Sequence, residues 1–540
     1  MYLRNRLVLP VILSSLAVLA GCGNGTSSFI NPIPPPGGGF SNSNLNGTYV
    51  FSVAGTDVQG APYAIVGSFT ANGSGGNGQG GITGGTLDLN DPAVSAPVAN
   101  AAINSSSYSV GVDGRGKATL STSSPFGTIV LDFVLQDSSH GLVTEFDGNG
   151  SGSGTIDVQT AGASPVGTFA FSLFGTDVSS GFADPFASVG NFTVGSGGAL
   201  SGLEDFNDNS FPYTSQTLSG QIVVGPASTP ATTLITPQFG SLTYDVYSIN
   251  ATHLKLIEMD TFGTLSGDAF SQSSTSVPTG ALAFTLSGAY PSTTAPSAVG
   301  GFIVTDGAGN ITNASTMDAN LGGTVSNAPV IFTGTYSAGG AGRYTLGLSS
   351  FSAGSQYVAY PSSAGLLLLE IDPNGIMSGV AYPPQTSTTF NGSAGYGLNF
   401  SGVNLNAAVE VDDIAEFASS SSGATVTGII DENFAPNGSP NYGLPLNGNY
   451  TTPDANGRGQ ISANAGNSTN STLNGGFDIT FYTVDGTTFP FIETDNGQVA
   501  AGVFLVQDAT ASASAAAARS HMFVVQSPVS SRAARWQKKK

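Results

Sequence analysis

The chain is 540 residues long, with charged residues at only 9% and glycine at 75 positions. All 34 acidic residues but only 5 of the 13 basic ones lie between residues 23 and 518, a net charge of −29 there. Such a surface repels phosphate, which excludes nucleic acid as a partner, and solubility must come from Ser, Thr and Asn.

The chain opens with a basic start, Arg4 and Arg6, and an apolar run from Leu7 to Ala20 that is short for a membrane span. The run ends Leu19-Ala20-Gly21-Cys22, which resembles the lipobox of bacterial lipoproteins. The resemblance implies cleavage before Cys22, the sole cysteine, with lipid on its thiol and on the new amino terminus. Residues 1–21 are then a signal peptide, and the mature protein forms no internal disulfide. Several acyl chains give lasting attachment to a membrane, at about 0.8 kcal/mol per buried methylene. Gly23 follows the cysteine, not the Asp that retains some lipoproteins at the inner membrane, so the likeness favours the outer membrane in a host that has one. Residues 22–44, with Pro34-Pro35-Pro36-Gly37-Gly38-Gly39 at their centre, read as the lipidated cysteine and a flexible tether.

Four copies of one pattern follow, over residues 45–160, 164–273, 278–386 and 390–508. Each opens with an alternating apolar triplet: Tyr49/Phe51/Val53, Phe169/Phe171/Leu173, Leu282/Phe284/Leu286 and Tyr396/Leu398/Phe400. An Asp-x-Asn comes next, Asp88/Asn90, Asp205/Asn207, Asp318/Asn320 and Asp431/Asn433, and later a Glu-x-Asp, Glu145/Asp147, Glu258/Asp260, Glu370/Asp372 and Glu493/Asp495. A Gly and a Gln close each copy: Gly154/Gln159, Gly267/Gln272, Gly379/Gln385 and Gly502/Gln507.

The third copy shows the strands best. Ala281–Ser287 alternates as a strand with one wet face does, and Asp306-Gly307-Ala308-Gly309-Asn310 is hairpin chemistry between Gly301–Thr305 and Ile311–Asp318. Val330–Ser337, Gly342–Leu348, Gln356–Tyr360, Leu366–Asp372 and Ile376–Tyr382 complete about eight short strands. The fold class is therefore all-β, with four tandem antiparallel β-domains of about 110 residues. Each is an up-and-down barrel or a sandwich; four independent beads and copies fused in pairs are alternatives, and the short linkers favour neighbours that pack together. The likeness to lipocalin-like barrels is one of topology only. Residues 509–540 form an Ala-rich tail ending in Arg532, Arg535, Trp536 and Lys538-Lys539-Lys540, read as a disordered end that anionic lipid or wall polymer would attract.

The recurrent polar residues have a structural and a chemical reading. Glu258 and Asp260 share one face of a strand by period two. Arg115, Arg343 and Arg458, each after a Gly, are expected to pair with an acid of their own copy, since buried carboxylates need partners; the second copy has no such arginine. Paired carboxylates also serve glycoside hydrolases, which makes a carbohydrate-active enzyme one alternative, although it would need four active sites. His140 and His253, five residues before the Glu, suit a turn. No nucleophile elbow, zinc motif or phosphate loop is present. Calcium is the one ion to consider: Asp147-Gly148-Asn149-Gly150-Ser151-Gly152 begins like an EF-hand loop, but its twelfth position is Val158, and Asp454-Ala455-Asn456 runs into Arg458. Both read as hairpin turns, and the Asp-x-Asn pairs fit a capped turn as well as an ion.

A pattern kept in all four copies belongs to architecture before chemistry. The chain as a whole resembles the β-rich repeat lipoproteins of bacteria, which implies no particular activity. The expectation is a membrane-anchored, non-catalytic envelope protein with a structural or adhesive role, whose partners are the membrane and an envelope polymer or glycan, without a cofactor. A carrier of small apolar ligands in lipocalin-like barrels is the other alternative.

Overall fold

Each copy needs many short strands because glycine and β-branched residues leave helix formation unfavourable throughout the body. The computed structural model describes residues 39–511, apart from 76–77, 94–95, 105, 123–126, 161–164, 179–182, 224–230, 237–239, 292–294, 327, 436–439 and 467–475. The signal peptide, Cys22, most of the tether, the first linker (161–164) and the basic tail lie outside these residues.

Among the described residues every copy is an antiparallel eight-stranded barrel. The second closes from Gly167–Asp177 round to Gly263–Ser271, and the fourth from Gly395–Asn404 round to Gln498–Val506. In the first, Asn46–Asp57 pairs with both Pro62–Asn72 and Gly150–Val158, and Pro62–Asn72 pairs on with Gly80–Asn90. Eight of its nine strands thus form the ring, and the ninth, Val98–Ile103, lies beside Gly80–Asn90. The third copy repeats this, from Gly280–Ala289 to Ile376–Ala381, with Thr324–Val325 as the side strand. Among the described residues closure leaves no ring strand with an open edge; only the short side strands lie outside the rings.

The opening triplets point into the barrels, and none of their twelve side chains is more than 2% exposed. Each anchors a separate interior cluster. Phe171 pairs with Gly190 and Phe51 with Gly67, and a Cβ on either glycine would come within 2.6 and 2.8 Å of the facing ring. The rings therefore lie close on bare backbone, in the manner of a packed interior.

The outer face of the first strand is not wet, as the alternation suggested. Val50, Ala170 and Ala283 are all fully buried, in clusters that join one barrel to the next. Alternation reports which residues differ, and small residues on the second face suit a neighbouring barrel as well as they suit water.

Two boundaries also move. Phe40, expected in the tether, is 1% exposed in the first barrel's core, and Asn42 accepts the Val110 amide at 2.7 Å. A lone aromatic has no periodicity to reveal it. At the other end Asn44 donates to the Ala509 carbonyl at 2.9 Å, and Ser138 to that of Ala511 at 3.0 Å. The described chain therefore begins and ends on the same barrel.

The closing glycines have a single steric cause. A Cβ on Gly154, Gly267, Gly379 or Gly502 would lie 1.8, 1.9, 2.0 or 2.2 Å from a carbonyl oxygen of the first strand, those of Ser52, Ser172, Thr285 and Asn399. The seam that closes each barrel has room only for hydrogen at that point. Gly267→Ala should therefore cost at least about 1–3 kcal/mol, as overpacking does, read as a lower urea midpoint. An unchanged midpoint would show that this seam can part freely.

Candidate functional site: the joints between barrels

The Asp-x-Asn lies at the end of the third strand of each copy. In the first, second and fourth the pairing register slips at the Asp, between Leu87 and Leu89, Glu204 and Phe206, and Ile430 and Glu432. In the third, Asp318 falls where the strand changes partner from Val330–Gly340 to Thr324–Val325. This break in the pairing turns the Asp outwards. Its own copy holds it by one backbone amide, from Asn100 to Asp88 at 2.5 Å, Ser215 to Asp205 at 2.8 Å and Gly443 to Asp431 at 2.5 Å. All three donors have positive φ, the conformation that points their N–H at the bulge.

The Asn then crosses to the next barrel. Asn90 donates to the carbonyls of Glu258 and Gly263 at 3.0 and 2.8 Å, and Asn207 to Glu370 and Gly375, both at 3.0 Å. Asn320 reaches Asp495 and Gln498 at 2.9 and 2.7 Å. Asn433 completes the set by reaching back to the first barrel, to Glu145 and Gly150 at 2.7 and 2.8 Å. In every joint one amide therefore clamps the hairpin that carries the next copy's Glu-x-Asp.

The closing glutamines make a second bolt in the same direction. Gln159, Gln272, Gln385 and Gln507 donate to the carbonyls of Ser248, Pro361, Thr483 and Leu135, at 2.7, 2.9, 2.9 and 2.9 Å. The fourth copy bonds the first with the residues that join the others. The arrangement is a head-to-tail interface that closes after four steps, within a single chain.

The arginines do not behave as expected. Arg343 forks Asp205 at 2.7 and 2.8 Å, and Arg458 forks Asp318 at 2.8 and 2.8 Å, each in the preceding copy. Arg115 bridges Asp113 of its own copy, at 3.0 Å, and Asp431 of the fourth, at 2.8 Å. Own-copy pairing holds only for this half-contact, because the break in the pairing aims each Asp out of the barrel that carries it. Sequence reading also missed the tyrosines. Tyr247, Tyr360 and Tyr482 donate to Asp88, Asp205 and Asp318 at 2.7, 2.5 and 2.8 Å. Their signal was there: each stands ten or eleven residues before its Glu.

The Glu-x-Asp acids are hairpin pieces, and the two residues differ in surroundings. Asp147, Asp260, Asp372 and Asp495 accept amides of their own turns, from Asn149, Phe262, Asn374 and Gly497 at 2.8, 2.8, 3.1 and 2.6 Å. Asp260 and Asp372 also tie back to the preceding strand, through Thr243 at 2.6 Å and Ser355 at 2.7 Å. At Asp372 burial pushes the carboxyl up, but the amides of Ser355 and Asn374 outweigh it and hold it below the ordinary value. The glutamates are fully buried or nearly so. Burial, then the neighbouring Asp, raises Glu258 to about 9 and Glu370 to about 10, and raises Glu145 and Glu493 well above the ordinary carboxyl.

His140 and His253 open strands and do not sit in turns; both are buried, bonded to Asp157 and Asp268 at 2.7 Å. Lys255 lies between them, 3.2 Å from Asp268 and donating to Thr155 of the first barrel at 2.8 Å. Asp454 caps its own hairpin through the amides of Asn456 and Arg458. Among the described residues no group of three or more His, Cys, Asp or Glu is arranged to hold a metal ion.

No protein-family model and no curated protein matches this chain. Among solved structures it is similar to the isotype 1 transferrin binding protein B from serogroup B Neisseria meningitidis. That match has 12% identity and covers 68% of this chain and 83% of that one, with a TM-score of 0.19. A superposition that poor adds no argument about fold or function.

Two outcomes are expected. Arg343→Met should cost about 3–5 kcal/mol because it leaves Asp205 buried without its cation, whereas Lys117→Met should cost no more than about 1 kcal/mol, since Lys117 is 40% exposed and 3.9 Å from Asp132. Urea unfolding reads both, and equal effects would remove the distinction. The second concerns pH. Glu258 and Glu370 bind protons more tightly folded than unfolded, so their contribution is complete below about 4.5 and is lost as pH rises towards about 9 and 10. The midpoint of thermal unfolding should fall between pH 5 and pH 9, and Glu258→Gln with Glu370→Gln should flatten the fall. A midpoint that climbs with pH would contradict this assignment.

Proposed function

We propose that the chain is a lipid-anchored protein of the cell envelope whose four barrels act as one non-catalytic unit, with a structural or adhesive role. What carries the reading is that the recurrent polar residues are consumed in joints. Asn, Gln and Arg side chains that could meet a ligand are bonded to the next barrel, and the Glu-x-Asp glutamates are buried. A carbohydrate-active site needs carboxylates that a glycan can reach, and a carrier needs a lumen where these barrels hold aromatic side chains. What remains for a partner is the acidic, hydroxyl-rich outer surface, which suits an envelope polymer or glycan. The anchor would be Cys22, with the outer membrane favoured. The basic tail continues from the first barrel, next to where the described chain starts, and would meet the same membrane.

The test is mass spectrometry of protein taken from host membranes without unfolding. Acyl mass on the Cys22 peptide and a bare polypeptide mass for the native body are expected. Cys22→Ser should release the protein from the membrane fraction. An apolar ligand of a few hundred daltons retained per barrel would replace this reading with the carrier, and an unacylated soluble chain would remove the anchor.

A further inference from the structure

Three of the four joints contain a guanidinium facing the outward Asp, at Asp205, Asp318 and Asp431. The joint between the first and second barrels does not, because Lys255 is the only basic residue of the second copy and is engaged by Asp268, Asp157 and Thr155. Asp88 is nonetheless fully buried, and so nearly is Asp245. Asp245 is two residues before Tyr247 on the same strand, so both side chains leave that strand on the side facing the first barrel. Tyr247 donates to Asp88 at 2.7 Å, and Asp245 lies near enough for the two carboxyls to shift each other.

Two adjoining buried carboxyls without a cation cannot both be ionised. We propose that a proton held between Asp88 and Asp245 takes the place of the missing arginine, making the joint between the first two barrels a pH-sensitive latch in a ring whose other joints are held by arginine. Asp245 is the group that keeps the proton and donates it, and Asp88 is the acceptor. Burial, then the Asp88 charge, pushes Asp245 up to about 7. The direction follows from that: the latch is closed below the ordinary carboxyl range and loosens as pH rises through about 7.

The slot of Asp245 gives an internal comparison. It is occupied by Val358 in the third copy, Thr480 in the fourth and Asp132 in the first. Asp132 also faces an outward Asp, Asp431, and burial, then the Asp431 charge, raise it to about 8 although Lys117 and Arg115 pull it down. What sets the first joint apart is that Asp88 has no guanidinium, whereas Asp431 has Arg115. The other titratable groups on the strands packed against the latch are Tyr49, Asp57, Tyr63, Tyr108, His253, Lys255 and Glu258, with Asp91 in the turn beyond Asn90. None of these is a cation paired with Asp88 among the described residues.

The experiment is hydrogen–deuterium exchange on the whole protein in detergent at pH 5.5 and 8.5, with labelling times scaled for intrinsic rates. It uses a Glu258→Gln, Glu370→Gln background so that the two glutamates paired with the compared strands do not titrate. Peptides covering 244–250 should lose protection about tenfold per pH unit from the ordinary carboxyl range up to about 7 and level off above it, while those covering 357–362, in the arginine-held joint, should not. Asp245→Asn supplies a permanent neutral donor and should abolish the difference between the two pH values. If that variant does not fold, Asp88→Asn neutralises the other member and should do the same. Equal loss at both joints, no loss at either, or a pH effect that survives neutralisation of the pair would each overturn the latch.

Discussion

A single side-chain amide sets the arrangement of this molecule. The Asn of each Asp-x-Asn has two donor hydrogens, and both go to carbonyls of a hairpin in the next barrel. Those carbonyls belong to a turn whose own amides are taken up by the Asp of Glu-x-Asp. Without the Asn they would be buried and unpaired, at a cost of about 1–3 kcal/mol each. The two motifs are about 170 residues apart in the chain yet form one hydrogen-bonded unit. Because the same unit recurs at the junction of the last copy with the first, every barrel is held on two sides.

The chemistry of the joints follows from a shortage of bases. Five basic residues serve the whole body, and three of them, Arg115, Arg343 and Arg458, are committed to the outward Asp of a neighbouring copy. Buried carboxyls that no cation touches are driven by burial to keep their protons, as at Glu258, Glu370 and Glu204. Arginine suits the joints because its fork satisfies both oxygens of an Asp at once. At Asp88, where it is missing, the tyrosine hydroxyl remains and the second carboxyl of Asp245 takes its place.

The barrels themselves contribute rigidity and leave little room for chemistry. Their interiors are filled by aromatic and aliphatic side chains resting on glycine backbone, and their lateral faces are shared with neighbours. A chain built this way presents its partners with turns and outer strands rich in hydroxyl and amide groups, which is the surface the proposed envelope role would use.

The sequence by itself determined the strands, their inward residues and the four-fold repetition, because period two and hairpin turns are local properties of consecutive residues. It also marked almost every joint residue: Asn90, Gln159, Asp205 and Arg343 stood out by recurrence alone. What they bind was not legible. Recurrence is the same whether a side chain serves its own copy or the next, and only the outward turn of the bulge sends Asp205 to Arg343, 138 residues away. The tyrosines at 247, 360 and 482 were obscured by looking like core aromatics, and Phe40 by standing alone. Tertiary structure decided barrel over sandwich and a closed cycle over beads, since closure depends on which edges meet after all four copies have folded.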